Sequence, residues 1–337
     1  MNNQKQVIMG TWYAVAAYVV WGVLPLYWKL LENIPALEIL AHRIIWSFVF
    51  VILILAVTSK WSELKQECLS IWRNRKQSLA LISSALVISA NWFVYIWAVN
   101  NDRVIETSLG YYINPLLSVL LGIVVLKERL TYWQTSSFVL ATIGVLLITV
   151  HYGAIPWIAL SLALSFALYG LAKKIASLNA MLGLAFETLL TLPLALLYVA
   201  WLHNTGSSSF GTSSVGTSLL LAGAGMATAL PLLCFAQGAR RIPLTMLGFF
   251  QYIAPSITLC LGIFVFNEPF TTIDLISFMF IWSALTLYSL SKTKLMVRLE
   301  TKLNRKKNVW HLAKLSPVRV IHIGQLRDSP FLMLKLA

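Results

Sequence analysis

Residues 112–128 read YINPLLSVLLGIVVLKE, and residues 252–268 read YIAPSITLCLGIFVFNE. The two runs lie 140 residues apart and agree at eight of 17 positions, among them Pro115 with Pro255, Gly122 with Gly262 and Glu128 with Glu268. Shared leucines mean little in an apolar chain. A proline, a glycine and a glutamate kept in register point to an internal repeat. A weaker echo joins AYVVWG (17–22) to SFALYG (165–170), an aromatic, two apolar residues, an aromatic and a glycine.

The medium around these repeats follows from composition. Of 337 residues, 58% are hydrophobic and only 11% charged, and the mean hydropathy is +0.77. A soluble domain carries about 25% charged residues, and no soluble core hides this much apolar surface. Lipid is therefore the expected solvent. The net charge of +14 would suggest nucleic acid on a soluble protein, but basic residues flanking apolar spans explain it better, so no nucleic-acid partner is expected. Cys68, Cys234 and Cys260 are widely separated and suggest neither a disulfide framework nor a metal site. Near the N-terminus Ala14-Val15-Ala16 mimics a signal cleavage site, yet the apolar run continues to Leu26 and reads as a retained first span.

A bilayer core about 30 Å thick needs roughly 20 apolar residues in a helix. Ten such windows fall at 8–28, 36–57, 78–99, 104–126, 131–150, 155–172, 178–202, 217–237, 242–266 and 271–291. Two connections are longer than the rest: a charged loop at 60–76 and a Ser/Gly-rich one, HNTGSSSFGTSSVG, at 203–216. With the N-terminus inside, 23 lysines and arginines fall on the inner side against two, Lys29 and Arg103, on the outer, leaving Arg43 within a span. Both termini are thus expected in the cytoplasm.

Five spans per half is an odd number, so the second half enters the membrane from the opposite side. The expected fold is an all-α integral membrane protein with ten transmembrane helices in two inverted five-helix repeats, residues 1–150 and 151–291, followed by a basic cytoplasmic tail, 292–337. Inverted repeats place a substrate site near the midplane between the halves, where one half rocks against the other. This favours a transporter. A non-transporting receptor or scaffold is the alternative, disfavoured by the repeat and the short loops. No HExxH, GxxxxGK or GxSxG motif and no metal-spaced cluster occurs, so no enzyme activity and no cofactor are expected, and the energy for transport must come from a gradient.

Polar residues inside the spans form stripes. Tyr111, Asn114 and Ser118 share one face of span four, and the repeat mates of Tyr111 and Ser118 are Gln251 and Thr258 in span nine. Ser84, Asn91 and Tyr95 make a similar face on span three, and Trp21 precedes Pro25 in span one. Such stripes suit a cavity for an amphipathic solute; equally, Ser, Thr and Asn act as glue between membrane helices. Pro25, Pro115, Pro193, Pro231 and Pro255 interrupt spans and read either as hinges or as static bends. The charges are sharper signals. Glu38 and His42 share a face of span two, and Arg43 lies about two turns below its outer end. The only acid near the middle of any span is Glu187, at the corresponding place in span seven. Intramembrane charges generally face the bundle and mark pathways or relays, so Arg43 and Glu187 are expected as a pair, serving either as a proton-coupled switch or as a fixed bond between the repeats.

The strings LEILAHRIIWS, SLGYYINPLLSVLLG, KERL, LYGLAKK, FETLLTLP and ALPLLCFAQGARRIPLTMLGFFQYIAPS, spread over about residues 8–291, resemble the RarD branch of the EamA family, within the drug/metabolite transporter superfamily. The resemblance implies a bacterial inner-membrane permease for a small organic solute, in two inverted repeats. Gradient-driven alternating access is the expected mechanism, with proton coupling as one form of it. The partners expected are the small-molecule substrate and the lipid bilayer, with a homodimer left open. The 292–337 tail departs from the branch, whose members usually stop soon after the tenth helix. Leu295, Leu299 and Leu303 share a face among basic residues there, as in a segment lying on anionic lipid; a solvated extension fits equally well.

Overall fold

In a computed structural model of the chain, the described residues are 3–58, 71, 73–126, 131–176, 180–239, 241–242, 250–291 and 296. Among them are ten principal helices and no strand: α1 (Asn3–Lys29), α2 (Ala36–Val57), α3 (Arg75–Asn100), α4 (Val104–Leu126), α5 (Tyr132–Tyr152), α6 (Trp157–Ala176), α7 (Ala180–Asn204), α8 (Val215–Ala239), α9 (Ile253–Phe264) and α10 (Thr272–Ser291). Each falls in or over one of the ten apolar windows. Seven of them, α1, α2, α3, α5, α7, α8 and α10, are long and apolar enough to cross a bilayer, while α6 and α9 contribute the shorter apolar stretches Trp157–Lys173 and Ile253–Phe264. Helix is the form such segments must take, because in hydrocarbon every backbone N–H and C=O needs a partner inside its own segment. The chain divides into one unit at Met1–Ser289 and a second at Leu290–Ala337. The expected lipid-binding face of the tail lies outside the described residues.

Local chemistry sets the helix ends. Asn74 caps α3 by accepting from Lys76 N and Gln77 N. Thr131 and Gln134 form a reciprocal capping box at the start of α5, and Gly153 ends that helix at φ +63°. The start of α4 is capped from far away: Glu268, in the α9–α10 connection, accepts from Val104 N at 2.5 Å and from Ile105 N at 2.8 Å.

The principal packing joins the two halves of the chain. α1 lies on α8 and α9, α6 on α3 and α4, α2 on α7 and α8, α3 on α7, and α4 on α9. Exchanging α1–α5 for α6–α10 turns this set of pairings into itself. Small residues allow the closest approaches: a side chain at Gly225 of α8 would meet the backbone of Trp46 and Ser47 in α2 at 2.2–2.5 Å. Outward faces carry exposed Leu53, Leu86, Leu194, Leu197 and Leu219, as expected where the solvent is lipid.

α2 and α7 are antiparallel. The start of α2 meets the chain beyond α7, where Ser209 donates from its N at 2.6 Å and its Oγ at 3.0 Å to Glu38. Its far end, Val51 and Leu55, packs with Leu182, Leu184, Ala185 and Phe186 near the start of α7. This arrangement decides the fate of the two buried charges.

Candidate functional site

Arg43 and Glu187 do not pair. Each stands seven residues into its own helix, and because those helices are antiparallel the two lie toward opposite ends of the α2–α7 contact. At 1.5 Å of rise per residue each is roughly 10 Å from its helix start, which leaves about 12 Å between them along the 22-residue span of α2. The repeat relation that suggested the pair is what keeps them apart, since inversion exchanges depths.

Glu187 is 2% exposed and is held by the same half of the chain and by α3. Lys173 Nζ of α6 lies 3.0 Å from its Oε1, Ser84 Oγ of α3 donates to it at 2.8 Å, and the Tyr169 hydroxyl donates at 3.3 Å. The Lys173 ammonium also lies 5.5 Å from the Tyr169 ring centre. Sequence reading had placed Lys173 among the inner flanking charges; α6 extends past it to Ala176, so its side chain turns back to the buried acid.

Arg43 is 6% exposed and its nearest company is aromatic. Its guanidinium carbon lies 4.2 Å from the Trp92 ring centre and 5.1 Å from that of Trp28. An arginine at the centre of a membrane helix costs about 2.5–3.5 kcal/mol on insertion scales, and a desolvated cation–π contact returns about 2 kcal/mol. Two rings therefore offset much of the charge. They do not satisfy its donors: Nε and Nη1 have no hydrogen-bond partner. Neither tryptophan was legible as a partner, because ring faces carry no spacing signal.

The polar face of α3 runs between the two charges. Ser84 bonds Glu187; about two turns further along the same face, Asn91 Nδ2 donates to Leu162 O at 3.1 Å and Ser165 Oγ at 2.9 Å. The Tyr111 hydroxyl reaches Asn91 Oδ1 at 3.5 Å. Tyr111 packs edge-on against Tyr95 at 5.7 Å and Phe166 at 6.0 Å between ring centres. Arg43 lies near both tyrosines, and beside Tyr95 stands Thr258, whose Oγ1 donates to Gly22 O at 3.3 Å. Asn91, Tyr95, Tyr111, Thr258 and Arg43, with Ser165 and Phe166, thus form one group, built from α2, α3 and α4 of the first half and α6 and α9 of the second.

The remaining candidates lie elsewhere. His42 is buried and stacks on Phe210 at 4.7 Å, with both ring nitrogens unpartnered; together with Glu38 it fastens the 205–214 connection to α2. Trp21 packs with Tyr18 at 5.4 Å and Phe235 at 5.7 Å. Gln251 precedes Tyr252, which stacks on its repeat mate Tyr112 at 6.4 Å. Asn114 is half-buried on α4, and the side chain of Ser118 lies outside the described residues. No cluster of histidine, cysteine and carboxylate that would hold a metal occurs among the described residues.

This arrangement sits on a chain with clear relatives. Residues 8–150 match the model of the EamA-like transporter family. The chain is 50% identical over 285 residues to the "Uncharacterized transporter YojE" of Bacillus subtilis, covering 85% of this chain and 95% of that protein. It is 40% identical over 286 residues to "Protein RarD" of Escherichia coli, again covering 85% and 95%. A protein known from a crystal structure shares the fold with a TM-score of 0.56 at 18% identity, over 85% of this chain and 98% of its own. A lipid-facing all-helical fold, buried charges between its helices and relatives named as transporters agree: the chain belongs to the EamA-like transporter family, in its RarD branch, and is a multi-pass bacterial membrane transporter rather than an enzyme.

Proposed function

We propose that the protein is an inner-membrane permease that moves a small organic solute by alternating access between two inverted five-helix repeats. The observation that carries this is the set of helix pairings, which survives exchange of α1–α5 for α6–α10 and joins the halves through α1, α2, α4 and their counterparts. An interface of that symmetry lets one half rock on the other, closing one end of the central polar group as the other opens. Asn91, Tyr95, Tyr111 and Arg43 on one side and Ser165, Phe166 and Thr258 on the other bound the region a solute would occupy.

Transport is gradient-driven, and Glu187 is the carboxylate placed to couple it to protons. Lys173 and Tyr169 of α6 and Ser84 of α3 hold it, and separation of α6 from α7 or α3 during rocking would break those contacts. The Lys173 contact also supports a second reading, a fixed clamp between α6 and α7. Purified protein in proteoliposomes tests the whole scheme. Solute counterflow across the bilayer is expected, with Glu187→Gln retaining fold and counterflow but losing acceleration by an imposed pH gradient. A receptor or scaffold would give no counterflow with any solute, and a fixed clamp would leave the pH response intact in any Glu187→Gln protein that folds.

A further inference from the structure

Arg43 is a buried cation with unused donors. Its Nε and Nη1 are sealed from solvent without a hydrogen-bond partner, between the rings of Trp92 and Trp28. A charge left in this state is unfavourable, and proteins pair nearly all such groups. No carboxylate among the described residues supplies the pair. Glu38, one turn toward the start of the same helix, is taken by Ser209; Glu187 is taken by Lys173; Glu268 caps α4; Asp102 and Glu32 hold Lys29. The guanidinium therefore keeps two unused donors, Nε and Nη1, where α1, α2, α3 and α4 meet.

Resting on the reading of the protein as a permease, we propose that its solute is a carboxylate anion with a flat apolar or aromatic body, and that Arg43 is the residue that binds the carboxylate. Each unused N–H can donate a charge-assisted hydrogen bond to a carboxylate oxygen, in a direction fixed by the rigid guanidinium as it is not by a lysine ammonium. One arginine suits a monoanion. A phosphate dianion would call for a second cation, and the other buried-side lysines, Lys29 and Lys173, are already neutralised. The walls choose the rest of the molecule: Trp28, Trp92, Tyr95 and Tyr111 present ring surface, and Asn91 and Thr258 add only a few polar atoms. Ring surface not covered by the guanidinium would stack on a flat solute.

Three probes of nearly equal shape separate the charge from the body: phenylacetate, phenylacetamide and phenethylamine. Each is titrated into the purified full chain in detergent, with binding read by calorimetry, and each is then tested as a competitor and as a labelled solute in proteoliposomes. Phenylacetate is expected to bind about tenfold or more tightly than the amide or the amine. Arg43→Gln should remove that preference, Arg43→Lys should keep part of it, and Trp92→Phe should weaken all binding while preserving the preference for the anion. If Arg43→Gln does not fold, the order of the three probes on the unaltered protein and on Trp92→Phe still decides. Equal binding of all three probes overturns the proposal, as does undiminished phenylacetate binding by Arg43→Gln. The permease reading fails separately: Arg43-dependent binding of phenylacetate without its passage into vesicles would sustain the anion site and overturn transport. Passage of the amine or amide, unaffected by phenylacetate, would sustain transport and overturn the anion site.

Discussion

The ammonium of Lys173 lies 3.0 Å from the carboxylate of Glu187, and the pair ties α6 to α7 inside the bundle. Ser84 adds α3 to the same point. Three helices from both halves of the chain thus converge on one acid that has almost no exposure to solvent. Removing one partner of a buried pair leaves an uncompensated charge, whereas removing both can be nearly neutral.

Lys173→Met alone is accordingly expected to destabilise the protein by about 3–5 kcal/mol. The double variant Lys173→Met, Glu187→Met should recover most of that loss. Thermal denaturation in detergent, run as a double-mutant cycle, measures the coupling; additive losses would show that the two charges do not depend on each other.

The aromatic seat of Arg43 makes a second prediction. Trp92→Ala removes the closer ring and opens a void in a buried cluster, with an expected cost of about 3–5 kcal/mol. In that background, Arg43→Met should cost less than it does in the unaltered protein, because the charge has already lost its better partner. The same denaturation assay reads this difference.

Glu268 predicts a pH dependence. Burial pushes its carboxyl above the usual range, against the opposing pull of the Ile105 and Val104 amides. A raised folded-state value means that the native protein binds this proton more tightly than the unfolded chain does. Its stabilising contribution is therefore complete below the ordinary carboxylate range and declines as pH rises through the raised value. Glu268→Gln should flatten that part of the stability–pH curve. Glu268→Ala, which uncaps α4 as well, should cost about 0.5–2 kcal/mol.

Topology is open to direct labelling. Ser208 is buried, so a cysteine there would report packing rather than side; Ser213 and Gln4 are exposed. With cysteines introduced singly in a background lacking Cys68, Cys234 and Cys260, Ser213→Cys should react with an impermeant thiol reagent in intact cells. Gln4→Cys should react only after the membrane is opened. The reverse pattern would invert the orientation argued from the basic residues.

Close packing gives a last test. Gly225 lets α8 reach the backbone of Trp46 and Ser47, and Gly225→Leu should separate α8 from α2 and abolish stable expression, while Gly170→Leu, at an exposed position where an added Cβ meets nothing within 4 Å, should be tolerated. Yield of monodisperse protein after solubilisation distinguishes the two.

Membrane residence and the helical segments were legible in the sequence, because each rests on properties of consecutive residues. Apolar length sets a span, and the strings resembling the RarD branch placed the chain in its family. Individual polar positions were legible too: Arg43, Asn91, Tyr95, Tyr111 and Thr258 were picked out by the cost of burying polar groups in lipid, and the fold brings them together. Their partners were not legible. Which groups meet depends on helix rotation, direction and depth, and none of these is a property of one segment. Antiparallel α2 and α7 carry Arg43 and Glu187 toward opposite ends of their contact. The extension of α6 past Lys173 brings a charge that read as a membrane flank back to Glu187. Trp28 and Trp92 became the seat of Arg43 only when α1 and α3 closed on α2, since a ring face attracts a cation through distance and orientation and leaves no trace in spacing.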